Sequence, residues 1–255
     1  MAGGGRMSDV LVVAEARRGE LREVSLELIG AALSVKGSTG GRVLVAMLDR
    51  EPERFAEALS VDGVDELLLV KTTNEHFEAH VWQTALEGLI DAEQPSLVLL
   101  GHTIDSLGFG PAVAAHRGLG FASDATALSW SGGPVVARGA YADKLVSELE
   151  FPGKQCTLVM LRPGTFAAAA AGRGAVDTRT VELALDGVAA TEHLGFEEVP
   201  DTGVDITKAP FLLSIGRGVE DKDEIPRFEA LAEHFGATLS VSRPLISVQA
   251  VTVPT

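Results

Sequence analysis

The segment Asp9–Ala16, with the sequence DVLVVAEA, decides the fold of the first part of the chain. Its apolar residues follow one another without alternation, which is typical of a parallel strand buried on both faces. The residues after it carry apolar side chains at helical spacing and end at Gly37, which suits a helix C-terminus. We therefore predict a buried strand followed by a helix.

The same strand and helix alternation extends outward from this segment. Three further apolar runs, RVLVAML, ELLLV and SLVLLG, are separated by helical patterns over residues 51–61 and 74–92. Strands joined by helices of this length require right-handed crossovers and a mostly parallel sheet. The fold class predicted for this part is therefore α/β with three layers, a mostly parallel sheet between helices.

The pattern changes after Gly101. A helix is predicted over 111–117, and the short runs PVVARGAY, KLVSELE and QCTLVMLRP follow between turns, which indicates an antiparallel extension of the sheet. An acidic stretch broken by glycine and proline comes next and is typical of a linker. The predicted organisation is an N-terminal α/β domain over 7–190, a linker over 191–209 and a second, incomplete domain over 210–255. For the second domain we predict only the first strand, helix and strand of a doubly wound fold.

Composition limits the functions that the chain can have. The net charge of -15 argues against binding to nucleic acid and to anionic lipid. No apolar run is long enough to span a bilayer, so no membrane insertion is expected. The single cysteine, Cys156, lies in an apolar run and suits a core position in a reducing, cytoplasmic protein.

The strongest candidate for chemistry is the stretch FLLSIGRGVEDKDEI, which begins at Phe211. An apolar strand leads into a turn formed by Gly216, Arg217 and Gly218, and a second strand, ATLSV, ends at Ser242 and Arg243. Backbone N–H groups and guanidinium groups at neighbouring strand ends suit a diphosphate. The alternative is that both arginines are ordinary surface charges.

Three other patterns are weaker. Gly101, His102 and Thr103 follow an apolar strand, where ligands of parallel sheets bind, but the dinucleotide spacing G-x-G-x-x-G is absent and tight turns explain the glycines. His76 and His80 lie four apart on a predicted helix, which allows a shared metal or a solvated helix face. Ser123-Asp124 has no histidine partner in the sequence and is typical of a turn. We predict no catalytic residue and no metal ligand.

Taken in order, six segments resemble the alpha subunits of electron-transfer flavoproteins. They are VLVVAEARRGELREVSLELIGAA, GLGFASDATAL, RGAYADKLVSELE, VMLRPGTFAAAAAGRGA, DITKAPFLLSIGRGVEDKDEI and FGATLSVSRPL. The resemblance runs from Val10 to about Leu245.

The resemblance implies an electron carrier rather than a catalyst of substrate conversion. It implies an FAD held by the second domain, completed by a beta subunit, with Gly216, Arg217, Gly218, Ser242 and Arg243 in contact with the cofactor. It also implies electron transfer from acyl-CoA dehydrogenase-type donors of fatty acid beta-oxidation to a quinone oxidoreductase-type acceptor.

Two stretches depart from the family pattern. The family's later flavin-domain motifs do not follow Ser242-Arg243, so the sequence leads us to expect a truncation within the flavin domain and an impaired FAD site. The segment Leu107–Ala112 also replaces the family's charged residues. A non-redox partner-binding subunit and an adenine-nucleotide-binding domain remain alternatives.

Overall fold

The chain forms two compact units, residues 1–193 and residues 194–255. The structure, a computed structural model, describes residues 8–172, 174–188, 190–197, 206, 209–219, 221–243 and 245. Most of the predicted linker and the last ten residues lie outside these ranges. The predicted boundaries at 190 and 209 stay predictions, and each unit is described by itself.

Unit 1, which we define as residues 1–193, is built on a nine-stranded sheet. Its strands are β1 (Ser8–Ala14), β4 (Gly40–Asp49), β5 (Glu66–Lys71), β6 (Leu97–Gly101), β7 (Gly120–Trp130), β8 (Pro134–Ala140), β9 (Leu145–Glu150), β10 (Thr157–Leu161) and β11 (Asp177–Val181). The order across the sheet is β11-β5-β4-β1-β6-β10-β7-β8-β9. Every pairing from β11 to β7 is parallel, and β8 pairs antiparallel with both of its neighbours.

The remaining elements of unit 1 connect these strands. A short hairpin of β2 (Ala16–Arg17) and β3 (Glu20–Leu21) follows β1. The helices are α1 (Glu23–Thr39), α2 (Ala56–Leu59), α3 (Ala79–Glu93), α4 (Ile104–Leu107) and α5 (Gly110–His116), and a 3-10 turn covers Pro52–Phe55. No helix among the described residues is long and apolar enough to cross a membrane.

Both faces of the sheet are buried along its central strands, which confirms the predicted three-layer α/β class. On β1, Val10 and Val12 pack with α1 and α2 on one face, whereas Leu11 and Val13 pack with α3 and α5 on the other. Successive strand residues point to opposite faces, so a strand covered on both sides must be apolar at every position. The unbroken run in DVLVVAEA therefore reflects its central place in the sheet.

Three sequence predictions are corrected by the structure. The run QCTLVMLRP was assigned to the antiparallel extension, but β10 lies between β6 and β7 and is parallel to both. Its residues are all buried, as a central strand requires. Helix α1 continues past Gly37 to Thr39 and ends at Gly40, whose φ of 65° is left-handed. Helix α3 begins at Ala79 rather than 74, because Glu78 caps its first turn.

The antiparallel extension consists of β7, β8 and β9. A bulge interrupts β7 opposite β10, and Asp124 adopts a left-handed φ of 59° there. Beyond the bulge, Leu128 and Trp130 pack against the core on one face, together with Leu149 of β9. The extension is therefore anchored to the core through one face.

Unit 2, which we define as residues 194–255, contains a two-stranded parallel sheet and one long helix among its described residues. Its elements are β12 (Leu212–Ile215), a 3-10 turn (Lys222–Glu224), α6 (Ile225–Phe235) and β13 (Thr238–Val241). Ile215, Ile225, Val241 and Leu245 form its buried cluster, and Phe228 packs against it. The predicted strand–helix–strand of this unit is confirmed.

Candidate functional site

The two strands of unit 2 end side by side. Ile215 pairs with Val241 in the parallel register, and the N–H of Ser242 donates to the carbonyl of Ile215 at 3.0 Å. A Cβ on Gly216 would lie 3.7 Å from the Ser242 hydroxyl oxygen. The structure therefore brings together the two predicted segments, Gly216–Gly218 and Ser242–Arg243, at one carboxyl edge, which we call the unit 2 edge.

The turns that leave this edge are closed by backbone hydrogen bonds. The N–H of Val219 donates to the carbonyl of Gly216 at 3.0 Å, and the N–H of Leu245 donates to the carbonyl of Ser242 at 2.9 Å. Leu245 is 2% exposed, so its side chain anchors the second turn in the apolar cluster. The turns are held in place from behind while their outer residues face solvent.

The side chains that the sequence singled out are accessible. Arg217, Ser242 and Arg243 are exposed, and a Cβ at Gly218 would meet no described atom within 4 Å. Guanidinium groups are the side chains best suited to bidentate recognition of phosphate oxygens. The unit 2 edge therefore offers two cations, a hydroxyl and open space next to a glycine.

Helix α6 starts several residues after the Gly-Arg-Gly turn. The helix does not follow the Gly-Arg-Gly turn directly but begins at Ile225, after the acidic residues Asp221, Asp223 and Glu224. The Asp221 carboxylate already accepts a hydrogen bond from the N–H of Asp223 at 2.9 Å. Carboxylates at this helix start disfavour a second anion there, so an anion fits at the strand ends rather than at the helix.

Unit 1 also has a carboxyl edge, but side chains of unit 1 itself occupy it. Between β1 and β6 the strand order reverses, which is where doubly wound folds bind ligands. Glu15, the first residue after β1, is 5% exposed and accepts hydrogen bonds from the hydroxyls of Thr103 and Ser106 at 3.0 and 2.8 Å. Arg22 also donates to Glu15, at 3.2 Å. A protein carboxylate thus occupies the place where a ligand anion would lie.

The electrostatics of Glu15 follow from this burial. Desolvation raises the pKa of the Glu15 carboxyl, while the hydrogen bonds from Ser106 and Thr103 and the charge of Arg22 act in the opposite direction. Gly101, predicted as a possible ligand residue, has a packing role here. A Cβ on it would lie 2.9 Å from both Glu15 Oε1 and Val24 Cγ2. This arrangement disfavours adenine-nucleotide binding by unit 1.

Asp124 of the predicted Ser123-Asp124 pair is held in an ion pair. Arg162 donates two hydrogen bonds to the Asp124 carboxylate, at 2.8 and 2.7 Å, and a third to Asp143 at 3.3 Å. The bonds from Arg162 lower the pKa of the Asp124 carboxyl. Asp124 thus has a structural role: by accepting hydrogen bonds from Arg162, it holds the bulge of β7 in place. This pair could not be predicted from local sequence patterns, because its members are 38 residues apart.

The prediction that His76 and His80 lie on one helix is wrong. His76 lies ahead of α3, so the two imidazoles do not share a helix face, and His76 contacts His193 instead, with ring centroids 4.0 Å apart. Over the described ranges, no three His, Cys, Asp or Glu side chains are grouped to hold a metal ion. Cys156 is buried as predicted, and desolvation raises the pKa of its thiol to about 12.

Comparisons with known proteins identify the same two parts of the chain. The family model described as the electron transfer flavoprotein domain matches residues 10–185, and the model described as the electron transfer flavoprotein FAD-binding domain matches residues 205–254. The second match includes the whole unit 2 edge.

Individual relatives agree with these matches. The chain is 40% identical over 241 residues to an electron transfer flavoprotein subunit alpha of Methylophilus methylotrophus, a match that covers 94% of this chain and 74% of that protein. It is 28% identical to a subunit of the same name from Bacillus subtilis, covering 92% of this chain and 72% of that protein. It is also 25% identical to the LctC subunit of a lactate dehydrogenase (NAD(+),ferredoxin) of Acetobacterium woodii, covering 89% and 55%.

Proposed function

The chain belongs to the family of electron transfer flavoprotein alpha subunits, and from this premise we propose that it binds FAD at the unit 2 edge, together with a beta subunit. The observation that carries the proposal is the adjacency of Gly216 and Ser242 at the ends of paired parallel strands, each followed by an exposed arginine. The match of residues 205–254 to a FAD-binding domain supports the same assignment.

The residues fit the diphosphate of the cofactor. Gly216 and Gly218 leave the backbone open to close approach, Ser242 offers a hydroxyl donor, and Arg217 and Arg243 balance the negative charge. When bound, the flavin supplies the electron-transfer chemistry. The chain's own part is to bind and orient the cofactor and to set the charge around it.

We further propose that the electrons come from acyl-CoA dehydrogenase-type donors and pass to a quinone oxidoreductase-type acceptor, in the cytoplasm. The family resemblance supports this, and the single, buried cysteine is in keeping with a reducing compartment. One relative is named as the LctC subunit of a lactate dehydrogenase (NAD(+),ferredoxin), so membership of the family does not by itself determine the donor. Flavin bleaching by each candidate donor with its substrate, in the purified complex, tests this finer assignment.

The FAD proposal is tested by co-expression with a beta-type subunit of the same organism and measurement of bound flavin by visible absorbance. We expect a flavin-containing complex. Arg217→Ala and Arg243→Ala should each weaken FAD binding about 10- to 100-fold, because a hydrogen bond to a charged group contributes about 1.5–3 kcal/mol.

The matched control is Arg227→Ala, which removes an exposed arginine from the same unit that pairs with Glu224 at 3.4 Å. This variant should retain its flavin. A colourless wild-type complex would contradict FAD binding. A coloured complex that is indifferent to both Arg217→Ala and Arg243→Ala would instead contradict the residue assignment.

A further inference from the structure

A polar cavity lies where the parallel strands of the nine-stranded sheet begin. Its volume is about 630 Å³, which is within the range of sites for small organic ligands. The segments that enclose it lead into three neighbouring strands: residues 94–96 into β6, residues 117–119 into β7 and residues 153–156 into β10. The cavity is therefore formed by residues of unit 1 alone.

Hydrogen bonds hold these three segments together. The N–H of Thr157, at the start of β10, donates to the carbonyl of Ser96 at 3.0 Å. Lys154 Nζ donates to the carbonyl of Gly118 at 2.7 Å and so joins the two other segments directly. A cavity whose walls are fixed in this way loses little conformational freedom when a ligand binds, which favours binding.

The side chains that line the cavity carry more positive than negative charge, although the chain as a whole has a net charge of -15. Arg117 forms an ion pair with Asp91 on the same rim. The Lys154 ammonium, in contrast, donates to the neutral Gly118 carbonyl and has no carboxylate partner among the described residues. A lysine that is held at a cavity without a counter-charge favours an anionic ligand there.

Two helices end at the cavity, and a helix C-terminus by itself disfavours an anion. The last carbonyls of these helices already accept hydrogen bonds. At α3 the side-chain amide of Gln94 donates to the Asp91 carbonyl at 3.0 Å, and at α5 the N–H of Leu119 donates to the Ala114 carbonyl at 2.9 Å. Because these bonds reduce the negative potential of both helix ends, an anion fits on the β10 side, beside Lys154.

Two neutral side chains extend the site beyond this cation. Ser96 and Gln155 line the cavity, and their side chains make no hydrogen bond within the part of the chain that the structure describes. A hydroxyl and an amide can both donate and accept, so they suit the hydroxyl groups of a ligand. The lining therefore favours an anion with a polar body over one with an apolar body.

We propose that this cavity is a binding site for a small organic oxyanion, with a phosphate or carboxylate head and a hydroxyl-bearing body. The head lies beside Lys154, and the body lies against Ser96 and Gln155. The inference is independent of the proposed FAD site, because no residue of unit 2 takes part in it.

Calorimetric titration of the full chain tests the site with three probes: glycerol 3-phosphate, malate and glycerol. We expect one of the two anions to bind with a dissociation constant of about 1 mM or below. Neutral glycerol should bind at least about tenfold more weakly, because it cannot engage the charge of Lys154. The tighter anion identifies the head group, and its binding should slow hydrogen exchange of the amides of residues 153–156.

Substitutions locate the anion within the cavity. Lys154→Gln should weaken binding of the tighter anion at least about tenfold, since a hydrogen bond from a charged group is lost. The matched control, Lys71→Gln, removes an exposed lysine from the far end of β5 and should bind like wild type. Ser96→Ala, which removes one hydroxyl, should weaken binding about two- to tenfold.

Several results would overturn the site. Neither anion approaching saturation by about 10 mM would do so, as would glycerol binding as tightly as the anions. Equal affinity of Lys154→Gln and wild type, or binding without slower exchange at 153–156, would place the anion elsewhere on the chain and also overturn the assignment. Flavin content is measured separately, so none of these results decides the FAD proposal.

Discussion

The carboxyl edges of the two units begin from the same pattern and reach opposite results. In each unit we compare the residue directly after the end of a parallel strand. This residue is Glu15 after β1 in unit 1 and Gly216 after β12 in unit 2. The Glu15 side chain is buried and accepts hydrogen bonds from the hydroxyls of Thr103 and Ser106. Gly216 carries no side chain and leaves its edge to Ser242 and to the solvent. The residue at the strand end, more than the alternation of strands and helices, thus decides whether the edge can accept an anion.

The largest effect, on FAD affinity, is expected when a glutamate is placed at the strand end of unit 2, as Glu15 is in unit 1. Gly216→Glu should weaken FAD binding by at least about 100-fold, because a carboxylate would face the diphosphate and like charges cost several kcal/mol. The substitution suits the fold, since the nearest atom to a Cβ there is 3.7 Å away. Flavin content and dissociation constant of the co-expressed complex measure the effect.

Gly216→Gln is the control for the size of the new side chain and should cost about tenfold or less. Equal losses for Glu and Gln would mean that space, and not charge, separates the two edges.

The reverse change removes the carboxylate from unit 1. Glu15→Ala should lower the free energy of unfolding by about 3 kcal/mol, because Arg22, Thr103 and Ser106 lose the acceptor that they share. Both tryptophans of the chain, Trp82 and Trp130, lie in unit 1, so urea unfolding followed by their fluorescence reports on this unit.

Glu20→Ala, an exposed glutamate in the adjacent hairpin, is the matched control and should change stability little. An equally small loss for Glu15→Ala would show that the hydroxyls find other partners and that the edge is not closed by this residue.

The smallest effect concerns pH. Burial raises the pKa of Glu15 above its value in the unfolded chain, so the folded state binds the proton more tightly. The stability that wild-type unit 1 gains from this proton is complete below the unfolded pKa and is lost as the pH rises through the folded one. Glu15→Gln lacks this dependence, so its stability relative to wild type should improve with rising pH.

Urea midpoints from tryptophan fluorescence at pH 4.5 and at pH 8 measure the difference. Parallel pH profiles for wild type and Glu15→Gln would show that another group determines the slope.

Sequence could predict the strands and their parallel pairing only where one signal dominates. The continuous apolar runs identified β1, β4, β5 and β6, because burial on both faces forces apolar residues at every position. β10 carries the same signal, but its turn-rich flanks led to an antiparallel assignment. Pairing is decided by contacts distant in sequence, which a local pattern does not contain.

The candidate sites divide in the same way. The adjacency of Gly216–Gly218 and Ser242–Arg243 was predictable because glycine and arginine stand directly at the ends of apolar runs. The role of Glu15 was not, because its partner Thr103 is 88 residues away. The contact of His76 with His193 was missed for the same reason. The spacing of residues on one helix carries no information about a contact with a residue as distant in sequence as His193.

The buried Cys156 also makes the molecule convenient for spectroscopic labelling. With a thiol pKa of about 12 against an ordinary 9.0, its thiolate is about a thousandfold scarcer at neutral pH than that of an exposed cysteine. A maleimide or nitroxide reagent would therefore react at a newly introduced surface cysteine, without prior removal of the natural one. Gly218→Cys and Val146→Cys would each carry one probe, at the unit 2 edge and on the exposed face of β9, in an otherwise unaltered chain.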